Sequence, residues 1–356
     1  MPGWVAEWFK AHAWKVCVRQ KRTVGSNPTP SASRRNALQA LRRRVSLDDG
    51  SERVPERCLF GACVFWSELS MTLILTCLTT DFVLQASDRR LTFADGPSRG
   101  KIKDDERTKA VVLANAAAFA YTGLAEVGPE ARTDYWLLDV LTAAPTIVEV
   151  YQEVYQNFLA GATSEFRRIA TRLPKLDRRH AFVGGGWSRA SADANAPMVP
   201  YVATVANALD LAGDWLRGPT DEFQFRRRFL NLGARFYVHA AGARIEKDDH
   251  ARLDVCLRKV LKRDGEPTAI AQCLVRAIRA TSVRHPTVGQ SALVVSLPKT
   301  MAERGGTSLR ISENGRIESD AATSVYFPAN SMHPENYAAH FMSGAGVSYR
   351  DFSAPR

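Results

Sequence analysis

Met71-Thr-Leu-Ile-Leu-Thr-Cys-Leu-Thr-Thr-Asp-Phe-Val-Leu-Gln-Ala-Ser-Asp-Arg-Arg90 is the stretch on which the fold turns. Residues 72–79 and 82–87 are short apolar runs rich in β-branched and aromatic residues, separated only by Thr80 and Asp81, and that pattern predicts two strands joined as a hairpin. Further strands are expected at 109–114 and 117–123. Helical spacing follows over 133–143 and 146–172, the latter carrying Val148, Tyr151, Val154, Tyr155 and Phe158 as an apolar stripe. Past Pro174 the pattern returns to strands near 179–184, 201–206 and 234–240, with a charged stretch over 223–230. Helices are predicted at 248–261 and 267–281, before a strong strand at 292–297. Strands, two helices, strands, two helices and a strand make an α+β chain. Packing the sheets face to face with helices outside gives a four-layer α/β/β/α sandwich, although periodicity alone equally permits another α+β arrangement.

At 356 residues, with 45% hydrophobic and 24% charged residues, the chain has an ordinary globular balance. Its net charge of +11 is unevenly spread. Residues 1–70 hold 12 Lys/Arg against 6 Asp/Glu and contribute +6, leaving +5 for the remainder, so nucleic acid is a disfavoured partner of the main domain. The six cysteines contain no CxxC pair and no Cys/His spacing suited to zinc. A reduced, cytoplasmic setting without a metal or cofactor is expected. The most apolar window, 58–78, is interrupted by Ser67, Glu68 and Ser70, which argues against a membrane span, and no signal-peptide pattern opens the chain.

Residues 1–33 look like a translated transfer-RNA gene. Gly25-Ser-Asn-Pro28 can be encoded by a T-arm consensus, Glu7-Trp-Phe-Lys10 by a D-arm, and Ala13-Trp-Lys15 by an anticodon loop, in the correct order and in one frame. Residues 1–70 are therefore expected to be a mistranslated, disordered upstream segment. The domain proper would occupy 71–299, with 300–356 a loosely packed appendix. If residues 1–70 are translated, the Arg-rich arm leaves open a nucleic-acid-binding alternative, recognisable by salt-dependent binding lost on its deletion.

An amino-terminal threonine can supply both nucleophile and base, because its own α-amine, with an ordinary pKa of about 7.7–8.0, can take the hydroxyl proton. Initiator methionine is normally removed before a small residue, so a start at Met71 would leave Thr72 first. Asp88-Arg89-Arg90 ends the second predicted strand, Lys109 opens the third, and Thr122-Gly123-Leu124-Ala125 ends the fourth.

This assembly resembles the proteasome β-subunit branch of the N-terminal nucleophile hydrolases. The family's aspartate, sixteen residues after the nucleophile, falls on Asp88, and its arginine on Arg90. Five extra residues in the connection 93–108 bring its lysine onto Lys109 instead of Asp104, and the same offset brings its oxyanion-hole glycine onto Gly123. The resemblance implies Thr72 as nucleophile, Lys109 as electrostatic activator and Asp88 as the group that holds Lys109. The N–H of Gly123 would serve as oxyanion donor, a contribution worth about 3–4 kcal/mol. Ala181-Phe-Val-Gly-Gly-Gly-Trp187 looks like the family's strand ending in a Gly-rich turn, and Pro286-Thr-Val-Gly289 like its last turn. Active members carry an Asp and a Ser near that turn. Here His285, Thr287 and Ser291 stand without a neighbouring carboxylate, and Ser291 is the supporting candidate.

The implied activity is threonine-type hydrolysis of a peptide or other amide through an acyl-enzyme, with self-association into a homo-oligomer. The alternative is a catalytically silent scaffold of the same family.

Overall fold

The structure is a computed structural model. It describes residues 72–93, 97–113, 117–123, 125, 133–134, 137, 179–190, 195–209, 216, 218–220, 223–304, 309–310, 316–337, 339–343 and 346–347, all within the unit Cys63–Arg356. The upstream segment 1–70, the candidate helix 146–172, most of 133–143 and parts of 300–356 lie outside the described residues.

The opening hairpin forms as its pattern predicts. Strand β1 (Leu73–Thr79) runs antiparallel to β2 (Phe82–Asp88), and Thr79 closes the turn by accepting the Phe82 N–H at 2.8 Å. Every residue of β1 is buried, because both of its faces are covered. Leu73, Leu75 and Cys77 meet a cluster that contains Leu253, Leu257 and Ile270. Ile74 and Leu78 meet Ala118, Ala120, Val183 and Val202 from a second sheet. Coverage on both faces turns what would be an alternating strand into a near-continuous apolar run.

Among the described residues the first sheet has seven strands. β10 (Phe236–Gly242) lies at one edge, followed by β1, β2, β11 (Ala292–Pro298), β13 (Ala322–Phe327) and β12 (Leu309–Arg310), with β14 (Glu335–Asn336) also on β13. The second, also seven-stranded, runs β16 (Gly346–Val347), β15 (His340–Ser343), β5 (Ala110–Leu113), β6 (Ala117–Thr122), β7 (Ala181–Arg189), β8 (Met198–Ala206) and β9 (Gln224–Phe229). A separate ribbon pairs β3 (Leu91–Thr92) with β4 (Ile102–Asp104). Among the described residues pairing is antiparallel except for β12 on β13 and β15 on β5.

The four-layer α/β/β/α sandwich is not what these residues form. The described chain is mostly β, and its only two long helices, α1 (Lys247–Arg263) and α2 (Pro267–Arg284), make one hairpin. They share a cluster with the same face of the first sheet, where Leu253, Leu257, Ile270, Leu274 and Ile278 are buried. Among the described residues no second helical pair forms an outer layer. Of the candidate first pair, Thr133, Asp134 and Leu137 are helical. A disulfide between Cys256 and Cys273 ties α1 to α2. That pairing is made by helix contact, so linear spacing does not announce it. Helix α3 (Lys299–Arg304) is a short extension after β11.

Two further differences from the sequence pattern bear on the site. Gly184, Gly185 and Gly186 lie inside β7 and do not form its terminal turn. A Cβ at Gly184 would stand 2.7 Å from the Phe119 ring, and one at Gly185 2.8 Å from the Thr76 methyl, so these glycines permit close approach within and between the sheets. The tail is also less peripheral than its composition predicts. β13 pairs along β11 in the first sheet, and β15 pairs along β5 in the second.

Candidate active site

The hairpin geometry brings Asp88, sixteen positions along the chain, back to the start of β1. Its Oδ2 accepts the Leu73 N–H at 2.7 Å, while its Oδ1 accepts the N–H groups of Arg90 at 2.9 Å and Gly289 at 3.1 Å. β11 lies on the other side of β2, with Ala292 opposite Asp88. That register delivers the turn 286–291 to the same spot. A Cβ at Gly289 would press on Arg90 Cβ at 2.9 Å, so this closeness needs a glycine.

Lys109, just ahead of β5, reaches across from the second sheet. Its ammonium donates to Thr72 Oγ1 at 2.6 Å, to the Arg90 carbonyl oxygen at 2.5 Å and to Asp88 Oδ1 at 3.3 Å. Lys109 and Asp88 are both fully buried, and Thr72 is 7% exposed. Burial pushes the Lys109 ammonium below the ordinary lysine value, and the Asp88 carboxylate beside it opposes that shift. An ammonium so placed stabilises negative charge on the threonine oxygen, and its lowered pKa makes proton exchange with that oxygen easier.

The Thr72 carbonyl oxygen is held as well, by the Ala243 N–H at 3.0 Å and the Thr122 hydroxyl at 3.3 Å. Gly123 follows Thr122 directly. Its φ of +109° lies in the left-handed region, and a Cβ there would stand 2.4 Å from the Arg179 carbonyl oxygen. Its backbone shape therefore demands glycine irrespective of chemistry. Beside it His180, buried between Tyr121 and Phe182, has its pKa pushed down to about 3 by desolvation.

Thr72, Asp88, Lys109 and the Arg90 backbone thus meet at one point. Ser291 does not join them. Its hydroxyl donates to the Asp105 carbonyl oxygen at 3.0 Å, and its own carbonyl accepts the Arg89 N–H at 3.3 Å. His285 caps α2 through its N–H to the Thr281 carbonyl.

Sequence reasoning passed over the groups that hold the connection ahead of Lys109. Arg89 is 5% exposed, and its guanidinium lies 4.6 Å from each of the Tyr326 and Tyr337 ring centres. It donates to the carbonyls of Glu106 and Arg107 and to the Tyr337 hydroxyl. Thr108 shares a hydrogen bond with the same tyrosine hydroxyl. The tail thereby clamps the residue next to Asp88 and the residue next to Lys109. No sequence spacing links positions 89, 108 and 337.

Among the described residues no cluster of His, Cys, Asp and Glu is arranged to hold a metal ion, and no helix is long and apolar enough to cross a membrane. No protein-family model matches the chain, and no curated protein matches it.

Proposed function

We propose that the chain is a threonine-type N-terminal nucleophile hydrolase that cleaves a peptide or other amide bond through an acyl-enzyme on Thr72. The observation that carries this is the contact of the buried Lys109 ammonium with Thr72 Oγ1 at 2.6 Å, with Asp88 and the Arg90 carbonyl holding the same nitrogen. A threonine that merely opens a strand does not require a fully buried lysine against its hydroxyl. The resemblance of Thr72 to Ala125 to the proteasome β-subunit branch supports the same assignment.

Catalysis needs Thr72 as the first residue, with a free α-amine. That amine takes the hydroxyl proton as Oγ1 attacks the amide carbon. The resulting oxyanion is held by the Gly123 N–H, while Lys109 stabilises the threonine oxygen. Collapse expels the amine, which leaves with the proton held by the Thr72 α-amine, and the acyl group stays on Oγ1 as an ester. Water, deprotonated by the same α-amine, then hydrolyses the ester, restoring Thr72 and releasing the acid.

A catalytically silent scaffold is the second reading. It is favoured by the engagement of the Ser291 hydroxyl with Asp105, away from Thr72. Purification of the protein expressed from its own upstream DNA, intact-mass analysis and treatment with a β-lactone acylating probe separate the two. A chain beginning at Thr72 and acylated on that residue is the expected result. An internal or unreactive Thr72 would favour the scaffold.

A further inference from the structure

We propose that Asp105 is a positioning residue for the Thr72 centre: its carboxylate fixes the Arg90 guanidinium, and the Arg90 carbonyl oxygen in turn fixes the Lys109 ammonium against the Thr72 hydroxyl. This rests on the hydrolase reading given above and adds to it a residue that makes no direct contact with the nucleophile.

The chain of contacts is continuous. Arg90 Nε donates to Asp105 Oδ1 at 2.6 Å and Nη2 to Oδ2 at 3.0 Å, a two-pronged pairing that sets the plane of the guanidinium. Nη1 of the same group donates to the Pro286 carbonyl oxygen at 2.8 Å. The guanidinium therefore locks the turn before β11 to the connection before Lys109. The backbone of Arg90 is held at the same time, its N–H on Asp88 at 2.9 Å and its carbonyl oxygen receiving Lys109 Nζ at 2.5 Å. These two groups lie in the successive peptide planes on either side of the Arg90 Cα, so both planes are held. Asp105 is anchored from its other side by the Ser291 hydroxyl on its carbonyl oxygen, which gives Ser291 a place in the site without contact to Thr72.

An ordinary surface ion pair is worth about 0–1 kcal/mol, and the Asp105 side chain is 44% exposed. Two features separate this pair from that class. The pairing is bidentate, and the arginine side chain, 16% exposed, spends its remaining nitrogen on a second segment of the site. Asp105 also lies in the connection 93–108, whose five additional residues set Lys109 apart from the spacing of the resembled family. A longer connection leaves the lysine's position less fixed by the chain itself and more dependent on side-chain ties.

The charged groups around Lys109 are Asp88 at the end of β2, Asp104 at the end of β4 and Asp105 beyond it, with Arg90 between Asp88 and Asp105. All three carboxylates favour the ammonium form of Lys109, against its burial. Loss of the Asp105 charge consequently moves the loss of the Lys109 proton to lower pH.

The test is the rate of Thr72 acylation by a β-lactone probe across the neutral and alkaline range, measured by peptide mass spectrometry. The proteins compared are the chain as purified from its own expression, Asp105→Asn, Asp105→Glu and the control Asp254→Asn on α1, whose carboxylate pairs with Arg258. Near-ultraviolet circular dichroism checks that each is folded. Asp105→Asn is expected to slow acylation about tenfold to a hundredfold, the range a small misplacement of a reacting group produces. Its alkaline limb should fall at lower pH, with Asp105→Glu recovering part of the rate and Asp254→Asn matching the parent. Unchanged rate and limb in Asp105→Asn would overturn the assignment, as would a slower rate with an unmoved limb and no recovery by glutamate. If Thr72 is unlabelled in the parent itself, the hydrolase reading fails, and the assignment of Asp105 with it.

Discussion

Lys109→Met removes an ammonium that touches three oxygens, those of Thr72, Asp88 and the Arg90 carbonyl. Both members of the Lys109–Asp88 pair are fully buried, and deleting one partner of such a pair typically costs about 3–5 kcal/mol because the other charge is left uncompensated. Two features reduce that figure here. Asp88 keeps the N–H groups of Leu73, Arg90 and Gly289 as donors, and methionine refills most of the lysine stem's volume. The expected loss is therefore about 2–4 kcal/mol. Asp88→Asn keeps the shape but strands the Lys109 charge and turns an amide NH2 toward donors that need an acceptor. The double variant removes both stranded charges, so it should cost less than the sum of the singles, with a coupling of about 1–3 kcal/mol. Urea unfolding of the full chain and the three variants supplies the cycle. A Lys109→Met loss below about 1 kcal/mol, the worth of an exposed pair, together with simple additivity, would refute the claim that this is a buried, mutually dependent pair.

Gly242 has a φ of +93°, and a Cβ there would stand 1.7 Å from the Thr72 carbonyl oxygen. Gly242→Ala should therefore displace the start of β1 and cost more than about 2 kcal/mol, the conformational term of about 1–2 kcal/mol plus the clash; an unchanged melting temperature would contradict this. His180, held at a pKa of about 3 when folded, binds a proton in the unfolded chain from about pH 6.5 downward. Stability should consequently decline as pH falls from that value toward the folded pKa, by up to about 5 kcal/mol from this residue. His180→Phe should flatten that part of the curve of urea midpoint against pH. Cys273→Ser opens a bridge between residues 17 apart, and loop-closure entropy puts the loss at about 3 kcal/mol by urea denaturation.

Much of the β scaffold is legible in the sequence because strands covered on both faces must be apolar almost throughout, as in β1, β6 and β11. β9 is not legible in this way. Its Arg226, Arg227 and Arg228 read only as part of a charged stretch, yet they form a strand at the sheet edge, where long cationic side chains reach solvent and Arg227 rests over the Phe229 ring at 4.8 Å. The layering is not legible in the sequence because periodicity marks which residues of a helix are apolar but not which sheet face receives them. Among the described residues both long helices pack on one face of the first sheet. Thr72, Asp88 and Lys109 could be gathered through the spacing of the resembled family, and the tight hairpin and adjoining strand start bring them together. Asp105, Arg89 and Tyr337, and the tie of Ser291 to Asp105, could not, since such contacts join segments as far as 248 residues apart, and nothing in a linear pattern encodes such a pairing.

The central claim is that Thr72 is an amino-terminal nucleophile activated by Lys109. It is tested most directly by amino-terminal sequencing of the protein expressed from its own upstream DNA, followed by mass-spectrometric mapping of β-lactone acylation in the parent and in Thr72→Ala. The account predicts a chain beginning at Thr72, one acyl group on that residue, and none in the alanine variant. A chain with Thr72 internal, or one acylated equally in the alanine variant, would contradict it.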